Sequence, residues 1–389
     1  MRVAFVHLTR YQGIGSTDFF ELSQSFGRLL PGAVDVITAR EGESQAGLAG
    51  SVILHEIPVP TRRVWTAASI GFYKSAARLL CELRPDLAIV TFDRGAALVP
   101  LIVRRKLGKA APKFVHHVCS VSFAEHPIRY RIGNLLTKLE SYAFDSVNTL
   151  SPAIATEIYG AGFPRPILIV PIGVDLALFG YRPEARARLR KDLGKDNFLF
   201  VFVSTLSANK NVVEIVTAFE LAGLEGAARL WVVGDGPLMG ELRALLHDRS
   251  IRNVDLLGLR DYSSIPDILS AADVAVTHMA SKSRSFLQPP IKVLEYLAVG
   301  VPVLASDVPG NRFYLDGSGA ALFYDPSGLQ GMAEGFRLAI EATRGQNASD
   351  ARSKARAAAQ AFSWERIARE ALASLTGNSN SIPAEGPPR

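Results

Sequence analysis

Glu295 interrupts a segment whose apolar residues, Ile291, Leu294, Leu297 and Ala298, recur at the spacing of one helix face. Gly300 follows where a left-handed helix end is wanted, and Val301 to Ala305 then reads as a short apolar strand. In an open α/β domain, a helix just before a strand can aim one carboxylate into the crevice beyond the strand ends, where ribose hydroxyls would donate to it. Taken alone, the segment also fits a surface glutamate on an amphipathic helix. Lys210, in Ser204-Thr205-Leu206-Ser207-Ala208-Asn209-Lys210-Asn211, follows a strand and precedes a helix. That placement suits a diphosphate, whose charge a helix N-terminus also favours.

Near the N-terminus, Tyr11-Gln12-Gly13-Ile14-Gly15-Ser16-Thr17 follows the first strand, and Gly13 and Gly15 would let backbone N–H groups approach a phosphate or sugar. A plain turn fits as well. The dinucleotide fingerprint is incomplete, because Asp18 stands where its third glycine belongs.

Strand-like and helix-like runs alternate along the whole chain. The strands are expected at Val3 to His7, Val34 to Thr38, Leu87 to Thr91, Phe114 to Val118, Ser146 to Leu150 and Ile167 to Ile172 in the first half. In the second half they are expected at Leu199 to Val203, Arg229 to Val233, Val254 to Leu257, Val274 to Thr277 and Val301 to Ala305. Such alternation predicts two doubly wound α/β lobes with parallel sheets. At 389 residues the chain is long for one core and comfortable for two.

The run Pro289 to Asp307, around Glu295, resembles the C-terminal signature of the family 4 glycosyltransferases. Leu230-Trp231-Val232-Val233-Gly234-Asp235-Gly236-Pro237 resembles that family's strand and glycine-rich turn. Val254 to Gly258, Ser270 to Val276 and Phe362 to Ala368 resemble its later elements, in the same order. The resemblance covers nearly the whole chain. It implies the GT-B fold, two Rossmann-like lobes with an interdomain cleft, and sugar transfer from a nucleotide diphosphate donor with retention of anomeric configuration. The implied domains are residues 1–172 on the acceptor side, 173–362 on the donor side, a helix over 363–376 crossing back to the first lobe, and a disordered tail over 377–389.

The resemblance also distributes roles. Lys210 aligns with the phosphate-binding lysine, Glu295 with the ribose-binding acid, and Ser204, Thr205, Gly234, Gly236, Pro290 and Ile291 line the donor. His116 or His117 is implied to face the donor sugar, and strand alternation sends the two to opposite faces, so only one can do so, with Cys119 as a further occupant of the equivalent position. Glu140 and Asp145 read as structural, and Ser151 as a helix cap. Two departures stand out. Ser204-Thr205 replaces the usual Gly-Arg, so one phosphate cation is missing, and Arg284 or Lys282 could compensate. Leu287 occupies the place of the family's first acid, eight residues before Glu295; members with a Pro-Ile-Lys helix start share that loss.

Two cysteines, Cys81 and Cys119, are too few for a disulfide framework and lack metal-ligand spacing, so they read as core thiols in a reducing compartment. Met1 to His7 starts a strand at once, without a signal peptide's apolar region, and no apolar run is long enough to span a bilayer. A cytoplasmic protein is expected. Between Pro100 and Glu140, eight Lys/Arg face two Glu, an excess that could draw the protein to the anionic cytoplasmic face of the inner membrane. No nucleic-acid motif accompanies it. The expected partners are a nucleotide sugar and a glycan, lipid-linked or small-molecule acceptor, with neither metal nor further cofactor. A non-catalytic GT-B subunit and a sugar-nucleotide epimerase are the competing readings.

Overall fold

The computed structural model describes residues 1–8, 17–40, 47–59, 65–122, 124, 126–191, 193, 197–280, 284–344 and 347–377. The expected tail over 377–389 therefore lies outside the described residues from position 378 onward. The chain divides into two compact units, residues 1–173 joined by the segment that begins at Trp364, and residues 174–363.

The first unit runs β1 (Val3–His7), α1 (Thr17–Leu29), β2 (Val34–Arg40), β3 (Gly47–Ala49), β4 (Val52–Pro58), α2 (Trp65–Leu83), β5 (Leu87–Thr91) and α3 (Leu98–Leu107). It continues with β6 (Lys113–Val118), α4 (Pro127–Ser141), β7 (Ser146–Thr149), α5 (Pro152–Tyr159) and β8 (Ile167–Ile169). The second unit runs α6 (Pro183–Leu189), β9 (Phe198–Val203), α7 (Val212–Leu221), β10 (Ala228–Val233), α8 (Met239–Asp248), β11 (Val254–Gly258) and α9 (Ile265–Ala271). Then come β12 (Val274–Thr277), α10 (Ile291–Val299), β13 (Val303–Ser306), α11 (Pro309–Leu315), β14 (Ala321–Tyr324), α12 (Leu329–Thr343) and α13 (Asn347–Gln360). The last helix, α14 (Trp364–Thr376), belongs to the first unit, where it packs on α1.

Among the described residues the first sheet has the order β3-β4-β2-β1-β5-β6-β7-β8, parallel except for the short antiparallel β3. Strands β1 and β5 are buried along their whole length, which fits their unbroken apolar runs, since helices cover both faces of such a sheet. The last helix is tied down by Lys113, whose ammonium donates to the Leu375 carbonyl at 2.9 Å. At its start the Trp364 indole packs on Gly173, where a Cβ would lie only 2.6 Å from the ring.

The second sheet is wholly parallel, in the order β11-β10-β9-β12-β13-β14. The direction of strand progression reverses between β9 and β12, and in such sheets ligands bind beyond the carboxyl ends of the strands at that reversal. Phe198, Phe200 and Phe202 alternate onto one face of β9. There the Phe200 ring packs edge-on against Phe219 of α7 and Phe336 of α12, with centroids 5.8 and 4.9 Å away.

Three sequence expectations change. Strands β3, β4 and β14 were not foreseen; β4 carries His55 and Glu56, which mask its alternation. Strand β13 starts at Val303, because the Val301 N–H donates to the Tyr296 carbonyl (2.8 Å) in closing α10 and Pro302 has no N–H. Cys81 and Cys119 are half-buried rather than core residues. Among the described residues, no helix is long and apolar enough to cross a membrane.

Candidate functional site

Helix α10 ends as its sequence requires: Gly300 takes the left-handed conformation at φ 85°, and its N–H closes onto the Leu297 carbonyl at 2.9 Å. The helix is not an amphipathic surface element. Every side chain from Val293 to Val299 is buried, including Glu295 at 8% exposure. A buried carboxyl needs a partner, and the Tyr262 hydroxyl donates to Glu295 Oε1 at 2.6 Å. Burial raises the Glu295 carboxyl above its ordinary range, while the Tyr262 hydrogen bond and the charge of Lys292 pull it back.

Lys292 lies one turn earlier on α10 and was not singled out from the sequence. Its ammonium sits 4.4 Å from the centroid of the Phe202 ring, at the carboxyl end of β9. Burial and repulsion from Lys210 push it down to about 7, against the opposing pull of Glu295. Tyr296, the next but three along, locks the helix to the same strand end, its hydroxyl accepting from the Val203 N–H at 3.1 Å.

Lys210 itself is exposed, in the single turn Ala208–Lys210 that Asn211, left-handed at φ 52°, joins to α7. Thus two ammonium groups and one buried carboxyl converge where β9 ends and α10 begins. The loops after β9 and β10 are stitched together beside them. Ser204 N–H donates to the Val233 carbonyl (3.0 Å) and Leu206 N–H to the Asp235 carbonyl (2.9 Å). Gly234, at φ 128°, passes so close that a Cβ would lie 1.8 Å from the Ser204 carbonyl, and one on Gly236 would lie 2.5 Å from that of Leu206. Glycine is required at both by contact.

Pro290 stands at the cap position of α10 and Ile291 opens it, exposed. Leu287, in place of the family's first acid, is buried, so a packing side chain occupies that position. The Arg284 side chain, Lys282, Gly13 and Gly15 lie outside the described residues. His278, also missed, follows β12 and bridges two elements: Nδ1 pairs with the Tyr324 hydroxyl and Nε2 with the Glu214 carboxylate of α7, both at 2.8 Å. Burial lowers it despite Glu214. Only the structure, through neighbours from β14 and α7, marks it as a strut behind the site.

In the first unit, β6 sends its two histidines to opposite faces, as alternation requires. His116 is a core residue: fully buried, stacked on Phe144 (4.4 Å), paired with the Ser141 hydroxyl at 2.7 Å and pushed down to about 3 by burial. His117 is buried as well, at 2% exposure, and faces α1, 5.7 Å from the Phe19 ring. The Glu140 carboxylate accepts from the Gly95 N–H at 3.3 Å, and Ser151 caps α5 by accepting from the Ile154 N–H, both structural roles. Among the described residues no three His, Cys, Asp or Glu form a metal-binding group.

The sequence profile of the family described as Glycosyl transferases group 1 matches residues 197–341, which hold Lys210, Lys292 and Glu295. That match takes in 145 of the 389 residues, so it is the second unit that is similar to the group 1 glycosyl transferases. The chain is 32% identical over 176 residues to the teichuronic acid biosynthesis glycosyltransferase TuaC of Bacillus subtilis, a match spanning 45% of the chain and 41% of TuaC. It is 27% identical over 338 residues to the GDP-mannose-dependent α-(1-6)-phosphatidylinositol dimannoside mannosyltransferase of Mycobacterium tuberculosis, spanning 82% of the chain and 81% of that enzyme. The crystal structure of Anabaena HepE in complex with UDP superimposes with a TM-score of 0.77 at 20% identity, covering 97% of the chain and all of HepE. The fold of the chain is therefore the two-sheet α/β GT-B fold.

Proposed function

We propose that the chain is a glycosyltransferase that moves a sugar from a nucleoside diphosphate sugar to a glycan, lipid-linked or small-molecule acceptor in bacterial surface polysaccharide or glycolipid synthesis. One observation carries the reading: Lys210 and Lys292 converge at the carboxyl end of β9, with buried Glu295 one turn further along α10. Transfer makes a nucleoside diphosphate leave, and its developing charge must be stabilised. Two preorganised ammonium groups at a helix start do this without reorganisation. Lys292 takes the place of the cation that Ser204-Thr205 lacks. Glu295 accepts hydroxyls of the ribose, and Tyr262 holds it in place.

The reaction is proposed to retain anomeric configuration, the departing phosphate accepting the acceptor's proton on the same face of the sugar, so that no protein nucleophile is needed. His117 would face the donor sugar. No metal or further cofactor enters this scheme; activity is then expected to survive EDTA, and loss with rescue by magnesium would overturn that part. Replacing Lys210 with Ala is expected to cost two to three decades of turnover, about 3–4 kcal/mol. Glu295→Gln is expected mainly to weaken donor binding. Unchanged kinetics in both would end the assignment.

A further inference from the structure

Helix α4 is built inside out. Its buried stripe, Tyr130, Asn134, Thr137 and Ser141, is polar. Its opposite stripe, Ile128, Ile132, Leu135 and Leu139, is 63, 49, 54 and 54% exposed, with Leu136 and Tyr142 beside it. Of the fifteen large apolar side chains exposed among the described residues, six lie between positions 128 and 142. Scattered exposed leucines need no explanation, whereas this concentration does.

The helix cannot roll to hide them. Asn134 accepts from the Ser122 N–H at 2.8 Å, Tyr130 donates to Glu157 at 2.8 Å, and the Ser141 hydroxyl joins His116 and Tyr159 at 2.7 and 2.9 Å. Gly133 packs so tightly that a Cβ would lie 2.4 Å from Ser122 Oγ. At about 100° per residue the apolar stripe is bordered by Arg129 on one edge and by Arg131 and Lys138 on the other. Arg129 and Arg131 are exposed. Lys138 donates to the Tyr159 carbonyl at 2.7 Å, while Arg104, on the neighbouring basic stretch, is committed to Asp145 at 2.8 Å.

We infer that α4 lies in the plane of an anionic phospholipid bilayer, its leucine stripe among the upper acyl carbons and Arg129 and Arg131 at the lipid phosphates. An apolar stripe bordered by cations is what an interfacial helix presents. Its 15 residues, about 22 Å, cannot span the hydrocarbon core. A second copy is the poorer occupant, because a two-fold contact would set arginine against arginine. The docking face expected from the basic excess over Pro100 to Glu140 thus narrows to α4, with an apolar stripe at its centre.

Cosedimentation of the full chain with phosphatidylglycerol-containing and pure phosphatidylcholine vesicles, at low and high salt, tests this. The wild type is expected to bind the anionic vesicles and to release with salt. Leu135→Gln with Leu139→Gln should weaken binding at least about tenfold, and Arg129→Glu with Arg131→Glu at least about twentyfold, from about fivefold per cation. Neither should lower the melting temperature or alter nucleotide-sugar binding, which keeps this result separate from the donor-site assignment; conversely, Lys210→Ala should leave vesicle binding intact. No binding by the wild type, equal binding by the glutamine variant, or a wild-type dimer that this variant dissolves would overturn the inference.

Discussion

At the residue scale, the proposed donor site makes Lys292 a link between proton and phosphate. Its ammonium falls to about 7, and a bound diphosphate would hold it charged. Below that pH it is already protonated; above it, binding must take up a proton. Affinity for the nucleoside diphosphate is therefore expected to be flat below about pH 7 and to weaken by up to about tenfold per unit above it. Calorimetry in buffers of different ionisation enthalpy should show proton uptake at alkaline pH, lost in Lys292→Arg. The same residue works against the fold. Unfolded, it holds its proton up to about 10.5, so the unfolded state binds more protons between about 7 and 10.5, and stability should rise with pH across that window. Lys292→Met is expected to melt higher at pH 7, by on the order of 1 kcal/mol or more, while losing activity. Glu295 was legible in the sequence because a carboxylate stands out in an apolar helix. Lys292 was not, since its meaning depends on Phe202 and Lys210, which only folding brings to it; His278 was hidden for the same reason.

At the element scale, the proposed donor site rests on the loops after β9 and β10, and Gly234 is the glycine with least room for a Cβ among the described residues. Gly234→Ala would drive a Cβ into the Ser204 carbonyl at an unfavourable φ of 128°. It is expected to destabilise the protein by about 2–4 kcal/mol, measured by urea unfolding, and to remove donor binding at temperatures where the variant is still folded. A loss below about 0.5 kcal/mol would show that this loop gives way. The long apolar strands were legible because burial on both faces leaves an uninterrupted signature, as in β1, β5 and β9. Strand β4, half polar, was not. Helix α4 shows the opposite failure: its isoleucines and leucines recur as in any amphipathic helix, and nothing in their spacing says which stripe faces in. Tyr159, Ser122 and Glu157 decide that, from elsewhere in the chain.

At the scale of the whole molecule, the strand orders emerge only from the fold, whereas two α/β units were foreseeable from the alternation of strand and helix, and the resemblance to glycosyltransferases from the ordered signatures between Leu230 and Ala368. Donor, sugar and acceptor were not, because specificity rests on few contacts, and Leu287 replaces one residue that would have announced them. The most direct test of the central claim is a thermal-shift panel of UDP-, GDP- and ADP-sugars on the wild type, Lys210→Ala and Glu295→Gln, since a ligand that binds only the folded state raises its melting temperature. One nucleotide sugar is expected to stabilise the wild type clearly and both variants much less. Stabilisation by none of them, or equal stabilisation of all three proteins, would contradict the account.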